Sequence, residues 1–499
     1  MRHMIPTAPR LLGLILAVVT LTVGVSAPVM AADSVKKLKK KVAKFLAADE
    51  VDQAISVVRE IGASGDEDAA EVLYSIGKIS PSEAFHEAVV SELLRQPKVL
   101  EYLTERFDKA RKNFQEKVYV ADAVGRMDSA EARAALVSFL EDKNTFVRQE
   151  VVRGLQRTMH RDAIGPLIDL LEDLSGRRRD VLYHEVRDAL YELTGQDFDL
   201  VDDWKSWWEP NSIAFDPKAQ AEKKDGATGV RKKRRGEDPE FFDVPVNSKN
   251  ILFVIDTSGS MNLVEKGDIP GLTGVTGGDK GSVVNKPKEP MTPANQRLAE
   301  FWTRMEMAKR ELYKVVQRLE KDTLFNIMRF DNNTAVFNKR GLVVAKSQRG
   351  KALKYVKAIR FRDGGATNTA EALEKAFKLD PKINTIFFLS DGVPQTSPPA
   401  NDPTQPILDM VFKLNKFRKI KIHTFGYSEV LYPYQDGKPP LPELEAANKF
   451  LKELAEKTGG TFTVLKVDPK RTPDNPDGPP DKEGEKKKKN VAESQAIFF

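Results

Sequence analysis

The 499-residue sequence contains no cysteine, which removes thiol catalysis, thiolate metal ligation and disulfides at once. Many small exported domains lean on disulfides. Stability here has to come from core burial, for which the chain is long enough. The histidines are dispersed: His86, His160 and His184 fall in a helical region and His423 in an apolar run, so each reads as structural or surface. No P-loop, H-E-x-x-H or G-x-S-x-G pattern occurs. Beyond the first residues, no stretch is long and apolar enough to span a bilayer.

What is present starts with a leader. Arg2, His3 and Arg10 precede an apolar run from Leu11 to Val25, which ends in Ala27-Pro28-Val29-Met30-Ala31-Ala32. That order predicts a signal peptide over residues 1–31, cleaved after Ala31 or Ala32. The alternative is an uncleaved anchor, for which the run is short against roughly 20 residues. The mature protein is expected to be secreted or periplasmic, with no transmembrane segment. Composition, 30% charged and 40% hydrophobic, suits two or three folded domains. The net charge of +6 is modest, and the basic runs Arg231–Arg235 and Lys486–Lys489 lie in polar stretches. They read as a solvated linker and tail, and a nucleic-acid partner is not expected.

Residues 32–208 show helical periodicity throughout. Within them, Ala135–Asp142 (ALVSFLED) matches Pro166–Asp173 (PLIDLLED) at an offset of 31. Paired amphipathic helices at such a period signal an α-solenoid. The segment FVRQEVVRGLQR…DAIGPLIDLLED resembles a HEAT-type repeat, with Val147, Val151 and Leu155 inward. Trp204, Trp207 and Trp208 either cap the last repeat or offer an aromatic platform. Residues 209–247 read as a charged flexible linker and 468–499 as a disordered tail.

Residues 248–467 alternate strand and helix. Strands are expected at Ile251–Ile255, Leu324–Phe330, Ile383–Leu389, Ile420–Phe425 and Thr461–Leu465, with an edge hairpin over Ala335–Ala345. Helices are expected from Thr292-Pro293 to Leu319, over Gly350–Ile359, from near Thr367, over Pro406–Phe417 and over Pro442–Lys457. The expected fold is therefore an α/β doubly wound, mostly parallel sheet of Rossmann-like kind, joined to an N-terminal all-α HEAT-like solenoid.

Ligands of such sheets collect at the carboxyl ends of the strands. There the first strand runs into Asp256-Thr257-Ser258-Gly259-Ser260, which sets one carboxylate and two hydroxyls at i, i+2 and i+4. Two more strand-end loops, Gly364-Gly365-Ala366-Thr367-Asn368-Thr369 and Leu389-Ser390-Asp391-Gly392, bring a hydroxyl and a second carboxylate. Oxygen donors of this kind suit a hard divalent cation. The stretch 262–291 is rich in glycine and leaves the sheet beside them, as a lid or a free insertion. Tyr427, Tyr432 and Tyr434 could rim the same face.

On these motifs, residues 248–467 resemble the von Willebrand factor type A domain. The resemblance implies a metal-ion-dependent adhesion site formed by Asp256, Ser258, Ser260, Thr367 and Asp391. It also implies Mg²⁺ or Mn²⁺ as the cation and a carboxylate from a protein partner completing its shell. The implied protein is an exported binding or adhesion protein, not an enzyme, with the repeats as a second interaction surface. Two other readings remain open. In one the repeats bind and the metal only orders loops. In the other Asp256 is the nucleophile of a metal-dependent phosphohydrolase, similar to haloacid dehalogenase-like phosphatases; that chemistry wants a carboxylate where Ser258 stands.

Overall fold

A computed structural model describes residues 34–177, 180–224, 239–262, 300–362, 365–392, 404–427 and 442–466, with positions 297 and 394 in isolation. The expected leader, most of the glycine-rich stretch, Tyr432, Tyr434 and the tail from 468 lie outside the described residues.

The N-terminal half is a stack of helix pairs: α1 (Val35–Ala47) with α2 (Val51–Ala63), α3 (Ala69–Gly77) with α4 (Glu83–Leu94), α5 (Val99–Lys109) with α6 (Phe114–Val124), α7 (Ala130–Phe139) with α8 (Thr145–Thr158), and α9 (Ile164–Asp173) with α10 (Val181–Thr194). Starts are fixed by side-chain caps: Ser82, Asn113, Ser129, Asn144 and Asp180 each accept a backbone N–H of the first turn. The 31-residue repeat corresponds to α7–α8 and α9–α10. The second members form an inner row in which α6 packs on α8 and α8 on α10. Gly125 and Gly154 permit the first of these contacts, since a Cβ on Gly125 would lie 2.7 Å from the Gly154 Cα.

The tryptophan cluster ends this stack. On α11 (Val201–Asn211), Trp204 is fully buried and its indole N–H donates to the Phe198 carbonyl at 3.2 Å. Trp207, Trp208 and Phe215 pack ring on ring around it. This is the cap that an open solenoid end requires. The segment expected as a linker carries more structure than its composition suggested. Helix α12 (Pro217–Lys224) folds back against α10, and Phe241, on strand β1 (Glu240–Phe241) paired with β2 (Val244–Pro245), is buried against Phe253, Phe387 and Phe425. Phe241 and Val246, with Phe242 and Val244 packed against the same cluster, draw the end of a polar stretch into the core.

Among the described residues, the second half forms a seven-stranded sheet. Strands β4 (Leu324–Phe330), β3 (Asn250–Asp256), β7 (Thr385–Leu389), β8 (Lys421–Tyr427) and β9 (Phe462–Leu465) run parallel in that order. Short β5 (Thr334–Val336) and β6 (Val343–Val344) pair antiparallel with β4. Alternate side chains of β3 enter opposite layers. Ile251, Phe253 and Ile255 meet α13 (Arg304–Arg318) and α14 (Ala345–Ala358). Leu252 and Val254 meet α15 (Thr369–Leu379), α16 (Thr404–Asn415) and α17 (Pro442–Thr458). Burial on both faces explains the unbroken apolar run, each such side chain contributing about 1.5–3 kcal/mol. The helix expected from Thr292 to Leu319 does not run through. Thr303, extended at φ −63° and ψ 146°, caps a new start at Arg304 by accepting the Glu306 N–H.

The two halves meet at the amino ends of the strands, through the inner row. Lys419 pairs with Glu150 at 2.6 Å, Lys421 with Glu185 at 3.4 Å, and Lys457 with Glu83. Behind them Asp122 accepts from His86 at 2.8 Å and from Arg126 and Arg157 at 3.2 Å. Burial alone would push the Asp122 carboxyl up, but His86, Lys419, Arg126 and Arg157 hold it well below its usual range. The Lys416 ammonium donates to the Gly77 carbonyl and sits over the Tyr119 ring.

Burial pulls Lys416 down to about 7, against the attraction of Asp122. Between that value and its ordinary 10.5, the unfolded chain holds a proton that the folded chain has released. Raising the pH through this window therefore favours the folded, docked form, by at most about 1.4 kcal/mol per unit. In thermal melts, the wild type should gain stability relative to Lys416→Met between pH 7 and 9.

Candidate metal centre

Three loops converge at the carboxyl end of β3, where the chain crosses to β4 on one side and β7 on the other. Asp256, the last residue of β3, is fully buried. Its Oδ1 accepts the Ser258 N–H at 2.8 Å and its Oδ2 accepts the Ser390 hydroxyl at 2.6 Å. Ser258 and Ser260 share a hydrogen bond at 3.1 Å, and the Ser260 hydroxyl donates to Asp391 Oδ1 at 2.8 Å. Four of the five expected residues thus form one connected set. Thr367 joins from the second loop: a Cβ on Gly392 would lie 2.5 Å from its Oγ1, so the hydroxyl abuts the Asp391-Gly392 backbone. The Gly259 N–H donates to the Gly365 carbonyl at 3.3 Å and ties the first loop to the second. Gly364 lies outside the described residues.

Other residues of the site were not singled out from sequence. Ser390 stood inside a quoted motif, but its bond to Asp256 was not foreseen. Asp331, directly after β4, accepts from the Thr257 hydroxyl at 3.2 Å and, through its backbone carbonyl, from the Asn368 N–H; a carboxylate at a second strand end was a readable signal. Arg304 is the largest omission. Its Nη1 lies 2.7 Å from Asp391 Oδ2, with both side chains almost wholly buried. It opens α13 and directly precedes Met305 of the apolar stripe, so only three-dimensional packing brings it to the site.

Burial raises the Asp256 carboxyl to about 7, and the neighbouring Asp391 charge adds to the rise. Hydrogen bonds from Ser390 and Ser258 oppose it. With Arg304 beside Asp391, one buried negative charge is left poorly matched. Among the described residues, no group of three or more His, Cys, Asp or Glu gathers. A metal here would be held by two carboxylates and three hydroxyls, an all-oxygen set. Mg²⁺ and Mn²⁺ accept such donors, and either would relieve the unmatched carboxylate. The donor set therefore fits the implied ion.

A helical-repeat array carrying a doubly wound sheet crested by carboxylates and hydroxyls is a two-module architecture. The modules have families: residues 111–186 match HEAT repeats and residues 299–464 match the von Willebrand factor type A domain. The chain carries both. The second match starts after Asp256, Ser258 and Ser260, which the fold brings beside Asp391. A curated relative, the human von Willebrand factor A domain-containing protein 3B, is 28% identical over 161 residues, 32% of this chain. The match spans only 10% of that protein's length. Among solved structures, the conserved hypothetical protein BatB of Bacteroides thetaiotaomicron aligns at 14% identity over 44% of this chain and 91% of its own, with a TM-score of 0.28. An aerotolerance-related membrane protein of Bacteroides fragilis aligns at 14% identity over 44% and 92%, with a TM-score of 0.27.

Burial, with the nearby Asp391 charge added to it, makes an ionised Asp256 costly to the metal-free protein. Asp256→Asn keeps an acceptor for the Ser258 N–H and removes one charge, so in chelator it should melt at or above the wild type. Gly392→Ala should lose about 1–3 kcal/mol in urea denaturation, because its methyl displaces the Thr367 side chain.

Proposed function

We propose that this is an exported, non-enzymatic binding protein that engages a protein partner through a divalent cation held by Asp256, Ser258, Ser260, Thr367 and Asp391. The observation that carries the reading is the connected set of Asp256, Ser258, Ser260 and Asp391 at a sheet crest, with Thr367 alongside. When bound, Mg²⁺ or Mn²⁺ supplies a Lewis-acidic position that accepts an anionic oxygen from outside. The chain's own residues orient that position: Ser390 and the Ser258 N–H fix Asp256, and Ser260 fixes one oxygen of Asp391. A carboxylate is the partner chemistry this arrangement favours.

Type A domains commonly mediate protein interactions, which supports a binding role. The helical array contacts the sheet at the opposite ends of the strands from Asp256, and so does not itself cover the crest. Its inner row is engaged by the chain's own lysines, so a second binding surface on the array would use its other faces. The absence of a carboxylate at Ser258 argues against phosphoryl transfer from Asp256. Export rests on the charged, apolar, small-residue order of residues 1–31. No helix among the described residues is long and apolar enough to cross a membrane.

Calorimetry of the full chain without its leader should show Mg²⁺ or Mn²⁺ binding that Asp256→Ala abolishes. Partners retained from an extract in Mg²⁺ should be released by chelator. Absence of metal-dependent heat overturns the reading; capture indifferent to chelator assigns binding to the array.

A further inference from the structure

Arg304 is unusual in its surroundings. Its guanidinium is buried, with 2% of the side chain exposed, and it pairs with an Asp391 side chain that has no exposure at all. It is anchored twice over. The Tyr427 hydroxyl donates to the Arg304 backbone carbonyl at 3.0 Å, and the Tyr427 ring faces the guanidinium at 4.9 Å. Thr303 fixes the helix start immediately before it. Both oxygens of Asp391 are thereby occupied, one by Ser260 and one by Arg304. A guanidinium so placed is a permanent positive charge directly beside the expected ligands, and guanidinium does not lose its proton in proteins.

We propose that Arg304 is the internal counter-ion of this centre: it lowers the site's affinity for a divalent cation and makes the occupied site cationic, so that an anionic ligand is required to complete it. This rests on the metal reading above. The charge balance is direct. Asp256 and Asp391 supply two negative charges and Arg304 one positive, while Asp331 at the next strand end has its own counter-ions in Arg329 and Arg362, at 3.6 and 3.5 Å. A divalent cation leaves the centre with one net positive charge, where the two carboxylates alone would have made it neutral. One carboxylate from a partner restores neutrality, in surroundings where the protein's own burial leaves little water to do so. Arg304 thus selects for a singly charged anion and against neutral oxygen ligands. Without bound metal it also keeps Asp391 paired, which avoids two facing, uncompensated carboxylates.

The test uses the full chain and Mn²⁺ alone, with affinity read by electron paramagnetic resonance and by thermal shift. Arg304→Gln should bind Mn²⁺ about tenfold or more tightly than the wild type, since a like charge within a few ångströms is removed. It should also melt lower in chelator and gain more from Mn²⁺ than the wild type does. A merely structural arginine predicts the reverse, with metal binding weakened along with the fold. Arg304→Lys keeps the charge and should stay within about threefold of the wild type. Tyr427→Phe loosens the anchor alone and should shift affinity in the direction of Arg304→Gln, which keeps the test decisive if that variant does not fold. Wild-type binding with no tightening in either Arg304→Gln or Tyr427→Phe overturns the counter-ion role and leaves the metal reading standing. Binding by Arg304→Gln but not by the wild type supports the counter-ion role and overturns the metal reading for the native chain. Binding by neither overturns both.

Discussion

Two buried carboxylates at adjacent strand ends are the constraint around which the rest of the crest is arranged. Asp256 and Asp391 come together because β3 and β7 are parallel neighbours, and that pairing is fixed by apolar side chains facing helices on both sides. Each carboxylate then needs compensation that the interior does not supply. Hydrogen bonds from Ser390, Ser260 and the Ser258 N–H provide part of it, and Arg304 provides a full charge. Thr303, which caps the start of α13, and Tyr427, at the end of β8, hold that guanidinium in place.

Much of this was legible in the sequence. An unbroken run such as Ile251–Ile255 is what burial on both faces demands, and the alternation of such runs with helical stripes gave the parallel sheet its signature. The 31-residue offset located two repeats because each repeat must present the same apolar face to its neighbour. The five side chains proposed as ligands were readable because each lies within a few residues of a strand end or a glycine turn. Arg304 was not, because nothing local distinguishes an arginine at the head of an apolar stripe from a solvated one. The docking of the two halves was equally hidden. Lys416, Lys419 and Lys421 fall where an expected helix ends and the next strand begins, and nothing local shows that Asp122, Glu150 and Glu185, hundreds of residues earlier, are brought towards them. Composition also misjudged the end of the linker, where Phe241, Phe242, Val244 and Val246 join the core.

The molecule keeps its two charge-rich regions at opposite ends of one sheet. At the amino ends, fixed acidic and basic side chains largely match one another. At the carboxyl ends the matching is incomplete, and the deficit is of the sign that a cation would fill. Burial makes both ends demanding, since an uncompensated charge is costly wherever water is excluded. The difference between them is that one is matched by the chain's own ion pairs and the other keeps one carboxylate without a counter-charge.

The parallel ladder between these ends has a mechanical consequence. A load applied between the crest and the array runs along β3, β7 and β8, not across them. Their hydrogen bonds are then strained in shear, all together, and cannot be opened one at a time from an edge. The array's ion pairs with Lys419 and Lys421 lie in line with that load, so the grip at the base and the strands above it bear tension in series.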